Sequence, residues 1–207
     1  MTELELLARE LQRAARAAEP QPPDLVQAAA AEGLLDVSYA ELDSPLGKLL
    51  LAATPAGLVR VAYLDHAPEQ AVLEEVAARV SPRVLSAPRR LDRARRELDE
   101  YFRGRRHNFE LEVDWQLTRG FARRVLEATA AIPYGSVLTY TDVAVLAGSP
   151  RASRAAGNAL GANPLPIVIP CHRIVRSGGG LGGYTGGVDR KRTLLAIEQG
   201  QSPLAAG

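Results

Sequence analysis

The chain has 207 residues, 46% hydrophobic and 24% charged, the composition of a globular protein of one or two domains. Its single cysteine, Cys171, excludes an intrachain disulfide and a multi-cysteine zinc site. The formal charge of +1 is unevenly placed, with ten Lys/Arg against four Asp/Glu from Trp115 onward and fifteen against twenty before it, which points to a polyanionic partner for the C-terminal part. The start, MTELELLARE, lacks the pattern of a secretory signal, and no run reaches the roughly 18 apolar residues of a membrane span. A cytoplasmic protein without membrane contact is expected.

Leu4, Leu7, Leu11, Ala14, Ala15 and Ala18 recur at helical spacing until EPQPPD at 19–24 breaks the pattern. A second short helix is expected over 25–31, so that residues 1–33 form an Ala-rich extension. From Asp36 the period becomes that of strands: VSYAEL, KLLLAAT and LVRVAYL, separated by the turns SPLG and PAG, predict a three-stranded antiparallel meander. Helical patterns follow over 68–80 and 90–103, the second with Leu91, Ala94, Leu98 and Tyr101 on one face. Residues 34–114 thus read as an N-terminal scaffold domain of an α+β protein, with no constellation of reactive groups.

Residues 115–207 read as a second, mainly helical domain. Thr118 is placed to cap a helix through Ala131, carrying Phe121, Val125, Leu126 and Ala130 on one face, and IPYG stops it. Thr139 or Thr141 starts a short helix that Gly148 ends; Ser149 then caps the next, with Pro150 at its first position, to about Ala162. Two short helices about a glycine turn make a helix-turn-helix pattern. The second is built of small residues, Ala152, Ser153, Ala155, Ala156, Gly157 and Ala159, punctuated by Arg151 and Arg154. So little bulk fits close internal packing or close approach to a large partner, and the two arginines favour a groove of DNA.

The stretch NPLPIVIPCHRIVRSGGG, residues 163–180, contains the thiol. PIVI predicts a short buried strand between prolines, and Pro170 fixes the backbone before Cys171. A free thiol titrates near ~8.5, and an adjacent imidazole or guanidinium raises the thiolate fraction, which His172 and Arg173 are placed to do. Neighbours in an extended chain point to opposite sides, so His172 is expected to act through a water. Asp189 and Glu198 are the carboxylates downstream that could orient it, and Glu198, in the helical pattern VDRKRTLLAIEQG, is the better placed.

PCHRIV, with IPYGSVLTY and NALGANPLPIVIP before it and GGYTGG and LLAIE after it, resembles the O6-alkylguanine-DNA alkyltransferases. The likeness spans Asp36 to Gln199, and SPLGKLLLAATPAGL and YFRGRRHNFEL resemble the family's N-terminal domain. It implies a ribonuclease H-like N-terminal topology and a winged helix-turn-helix-like C-terminal domain. It further implies direct, irreversible transfer of an alkyl group from guanine O6 to Cys171, with His172 activating the thiol and Glu198 orienting His172. By the same matching Tyr140 hydrogen-bonds the flipped guanine, Arg154 fills its place in the stack, and Asn163 is the hinge to the active-site strand. Tyr184 and Thr185 lie on the loop closing over the base, and Pro166 and Gly186 complete the pocket. Arg151, Ala152, Ser153, Ala155 and Gly157 share the DNA face with Arg154. The implied partner is duplex DNA containing O6-alkylguanine, bound by a monomer that can assemble along DNA, with O4-methylthymine a further substrate. No metal or cofactor is required.

The chemistry is consistent with this, because attack at a saturated carbon needs one activated sulfur and one proton donor to the leaving base. The target atom lies inside the duplex, which calls for base flipping. Gly186 and its neighbours imply room for alkyl groups larger than methyl. Two other readings stay open: a Cys171–His172–Glu198 hydrolase, and a non-catalytic lesion-binding or regulatory helix-turn-helix protein.

Overall fold

A computed structural model describes residues 25–201. The helical pattern expected over residues 4–18 and the break at 19–24 lie outside the described residues, whereas the short helix α1, Leu25–Ala31, forms as expected. Three strands follow, β1 (Val37–Ser44), β2 (Gly47–Thr54) and β3 (Gly57–Tyr63), antiparallel in sequence and joined by tight turns. A bulge at Ala52/Ala53 increases the twist of the β2–β3 pair.

The sheet has four strands, not three. Beyond helix α2 (Glu69–Arg79), β4 (Val84–Ser86) returns parallel to β1, giving the order β3-β2-β1-β4. A three-residue strand is too short to carry a period, and its pairing with β1 is long-range, so nothing local marks it. Helix α3 (Asp92–Phe102) then follows a 3-10 turn at Pro88–Leu91.

The sheet is a partition between two apolar layers. Leu50, Ala52 and Val59 face Val72 and Val76 of α2. Leu49, Leu51 and Val61 face a core shared with Leu98 of α3 and with Val125, Ile169, Ile174 and Leu194 of the C-terminal part. Strand alternation produces this division, and Leu49–Ala52 form an unbroken buried apolar run because both faces of the middle of β2 are covered. Each fully buried Leu contributes about 1.5–3 kcal/mol.

In the C-terminal part a 3-10 turn (Trp115–Leu117) precedes helix α4 (Gly120–Ala130). Thr118 is not the helix cap: its hydroxyl donates to Trp115 O at 3.0 Å and closes the turn, so α4 starts one residue later than expected. Thr139 caps helix α5 (Tyr140–Leu146) in a full capping box with Asp142, and Gly148 turns the chain at φ 78°. Helix α6 (Ser153–Gly161) begins later than Ser149–Pro150 because Ser149 N–H bonds back to Ala144 O at 2.8 Å and Ala152 N–H to Ser149 O at 2.9 Å. Those bonds make 149–152 a turn. Strands β5 (Leu138–Thr139) and β6 (Ile174–Val175) pair in parallel beside the helix pair, and helix α7 (Val188–Glu198) closes the fold.

Because Leu51 is fully buried between the sheet and the C-terminal core, Leu51→Ala should destabilise the chain by ~2–5 kcal/mol. Urea unfolding followed by Trp115 fluorescence measures this, and a shift confined below ~1 kcal/mol would contradict the shared core.

Candidate functional site

The segment before the thiol is a turn, not the buried strand expected for PIVI. Ile167 holds φ 77°, the one positive-φ residue other than glycine among those described, which is costly for a β-branched side chain. Its apolar side chains are buried as a strand's would be, but the backbone folds on itself, with Ile169 N–H bonding to Leu165 O at 2.8 Å. Asn163 holds the turn from inside. Its amide nitrogen donates to Ile169 O at 2.9 Å and to Cys171 Sγ at 3.2 Å, and its oxygen accepts Leu165 N–H at 3.0 Å. One buried side chain thus links the end of α6 to the thiol.

Cys171 opens a 3-10 turn through Arg173 and is 4% exposed. Burial pushes its thiol up to about 11; hydrogen bonding from Asn163 and the charge of Lys191 act the other way without cancelling it. The expectation that flanking cations would raise the thiolate fraction is therefore reversed. Arg173 turns away from the sulfur and grips Glu198, with Nε 3.1 Å from both carboxylate oxygens and Nη2 2.8 Å from Oε1.

His172 is fully buried with Nε2 2.8 Å from Glu198 Oε1. Burial lowers its pKa and outweighs the opposing pull of Glu198, so the imidazole is neutral. A neutral ring facing a carboxylate carries its hydrogen on Nε2, leaving Nδ1 as the acceptor. Nδ1 is buried and has no hydrogen-bond partner among the described residues. Glu198, at the end of α7, also accepts from Tyr101 Oη at 2.8 Å and from Gly135 N–H at 3.0 Å. Burial alone would raise its pKa, but the hydrogen bonds from His172 and Arg173 prevail and hold it at about 2.

A cavity of about 180 Å³ reaches the sulfur, walled by Tyr140, Gly157, Leu160, Gly183, Tyr184 and Thr185, among others. Tyr140, the first residue of α5, lies with its hydroxyl 3.5 Å from Gly183 O. Thr185 Oγ1 donates to Gly161 O at 3.2 Å. Pro166 and Gly186, expected in the pocket, are not among its walls. Pro166 is buried in the turn beneath, and a Cβ on Gly186 would lie 2.5 Å from the Tyr63 ring, so that glycine marks tight packing and not spare room. Gly157 and Gly183 line the pocket, and beside it Gly182, at φ 70°, leaves room for Tyr140: a Cβ there would lie 2.6 Å from the Tyr140 hydroxyl. A larger hollow of about 610 Å³ between Asp43, Phe102 and Gln201 carries no nucleophile.

Above the cavity, α6 exposes Arg154 and Ala155, with Arg151 exposed just ahead of it; Ala152, Ser153 and Gly157 are partly covered. Neither arginine has an ion pair or side-chain hydrogen bond among the described residues. Ala156 is buried, so the small residues serve packing on one face and access on the other.

Three participants escaped sequence reasoning. Tyr101 of α3 and Tyr63 of β3 bring hydroxyls from the N-terminal half, which therefore is not inert; Tyr63 Oη lies 3.0 Å from Tyr184 Oη. Lys191 is fully buried, bonds through Nζ to Ile174 O and at 3.3 Å to Gly183 O, and burial brings its pKa down to about 8. Tyr101 lies on the apolar face of an ordinary amphipathic helix and Lys191 among the charged residues that open α7, so only the fold discloses them.

These features define a class, proteins that set one nucleophilic cysteine and an imidazole–carboxylate pair under a helix-turn-helix. Residues 37–115 match the 6-O-methylguanine DNA methyltransferase ribonuclease-like domain, and 120–200 match the DNA binding domain of the same name. The chain is 38% identical over 167 residues to a methylated-DNA-protein-cysteine methyltransferase of Mycolicibacterium paratuberculosis, covering 81% of this chain and 95% of that protein. It is 39% identical to the Homo sapiens protein of that name, covering 76% and 78%. Among solved structures, Mycobacterium tuberculosis OGT in complex with DNA superposes with a TM-score of 0.69 at 35% identity, covering 81% of this chain and 97% of that one. The chain belongs to the methylated-DNA-protein-cysteine methyltransferase family. No helix of the described residues is long and apolar enough to cross a membrane.

Glu198 is held near 2 against an ordinary 4.5, so its contribution to stability is complete above about pH 4.5 and is lost as pH falls towards 2. The lowered pKa of His172 adds loss in the same direction below an ordinary 6.5. Urea midpoints measured from pH 7 to 3 should fall steeply for the wild type and less steeply for Glu198→Gln. Parallel curves would contradict the assignment.

Proposed function

We propose that this protein repairs O6-methylguanine in duplex DNA by moving the methyl group onto Cys171, once per molecule. The observation that carries the proposal is the neutral His172, oriented by Glu198 and with Nδ1 unpartnered, buried beside a thiol that burial keeps protonated at the floor of the Tyr140–Tyr184 cavity. A thiol near 11 needs its proton removed as it reacts. His172 Nδ1 takes that proton through a bridging water, and the Glu198 carboxylate stabilises the imidazolium that forms.

The sulfur forms its bond to the methyl carbon as the carbon–O6 bond breaks, and the electron pair goes to the guanine. Tyr140 supplies the hydrogen bond that neutralises the departing base, and Asn163 holds Sγ in line. Arg154, exposed on α6, fills the gap left by the flipped nucleotide, and Arg151 meets the phosphates. The product is a thioether, which water does not readily hydrolyse, so a molecule acts once. The chain acts as a monomer in the cytoplasm and assembles along DNA.

A hydrolase needs donors for an oxyanion, yet the Cys171 N–H, the nearest backbone donor to the sulfur, is already bonded to Ile169 O at 2.8 Å. This disfavours the triad reading.

Incubation with a methylated duplex followed by intact-mass and peptide analysis should show one methyl on Cys171 and never more than one per molecule. Turnover, or an unmodified Cys171, would refute the proposal. His172→Ala should slow transfer by ~10²–10⁴-fold. Arg154→Ala should slow transfer from duplex DNA at least about tenfold, ~1.4 kcal/mol, while leaving transfer from a free O6-alkylguanine base unchanged. Equal losses on both substrates would place Arg154 outside DNA recognition.

A further inference from the structure

The Tyr184–Thr185 wall of the thiol cavity and the adjoining Gly186 belong to SGGGLGGYTGG, a sequence with little rigidity of its own. Its position must therefore come from what it touches. One side chain in the first turn of α7, Arg190, touches both this segment and the N-terminal sheet. Its Nη1 donates to Gly186 O at 2.9 Å and its Nε to Leu46 O, in the β1–β2 turn, at 2.6 Å. Nη2 pairs with the Asp65 carboxylate just beyond β3, and the guanidinium carbon stands 4.3 Å from the centre of the Tyr63 ring. Tyr63 in turn meets Tyr184 hydroxyl to hydroxyl at 3.0 Å with rings at 70°, and its ring leaves no space for a Cβ on Gly186. On its other side Tyr184 lies edge-on to His172, ring centres 6.3 Å apart.

The planar fork of an arginine suits such a junction, because it directs several donors at once while stacking on an aromatic face. Lysine would satisfy one of these partners at a time. Asp65 is half exposed, so the ion pair with it is the weakest strand of the junction. The bonds to two buried-side carbonyls and the tyrosine pair carry most of it.

We infer that Arg190 is a positioning residue: together with Tyr63 it clamps the Tyr184–Thr185 wall, through Tyr184 and the adjoining Gly186, to the N-terminal sheet and so sets the size of alkyl group that reaches Cys171. This rests on the reading of Cys171 as the alkyl acceptor. The N-terminal domain then acts in substrate selection and not only as scaffold, through a contact more than a hundred residues distant in sequence from the wall it holds.

The test compares wild type, Arg190→Met and Tyr63→Phe in single-turnover transfer from duplexes carrying O6-methylguanine or O6-benzylguanine. Arg190→Met should slow methyl transfer about tenfold, because the pocket no longer holds the base in line. The benzyl-to-methyl rate ratio should rise about threefold or more as the wall relaxes, and affinity for unmodified duplex should not change. Tyr63→Phe keeps the ring under the guanidinium and removes one hydroxyl, so it should move the ratio in the same direction by less. If Arg190→Met does not fold, Tyr63→Phe and Asp65→Asn decide the question. An unchanged ratio in the folded variants, whatever the absolute rates, would overturn the inference. A wild type that places no methyl on Cys171 would instead refute the proposed function.

Discussion

Glu198 places a carboxylate in the interior with its side chain 1% exposed, a position that costs several kcal/mol unless every oxygen lone pair is met. Meeting that demand organises the molecule. Arg173 and His172 come from the turn that begins at Cys171, Tyr101 from the N-terminal helix α3, and the Gly135 N–H from the loop ahead of α5. Three segments far apart in sequence are thereby fixed relative to the end of α7. The same bonds that satisfy the charge fix the tautomer of His172. Structural compensation and orientation of the imidazole are one set of contacts.

The thiol is handled in the opposite way. It is kept neutral by burial. A permanently ionised cysteine would be exposed to oxidation and stray electrophiles, whereas a thiol held near 11 stays protonated until a base takes its proton. For a protein that works once, such restraint matters more than speed.

The edge strand β3 shows how the two parts act together. An edge strand has unpaired N–H groups, and here Val61 N–H bonds to Pro164 O at 2.8 Å, directly in the turn that leads to Cys171. Arg60 reaches the same carbonyl at 3.3 Å. The sheet therefore completes its own edge with the backbone of the site, and Tyr63, two residues on, meets the hydroxyl of Tyr184 in the cavity wall.

The linear sequence determined the strand meander, the capped helix α5, the glycine turn at Gly148 and the reactive motif with its partners. Each depends on local propensity or on a short fixed spacing, which neighbouring residues carry. It misplaced the starts of α4 and α6, where Thr118 and Ser149 bond backwards into preceding turns, and it read PIVI as a strand because apolar side chains look alike in a strand and in a buried turn. Tyr63, Tyr101, Lys191 and the short strand β4 were decided by tertiary structure alone. Their roles arise from contacts across long stretches of chain, and burial in that setting sets how readily a phenol, an ammonium or a thiol gives up its proton.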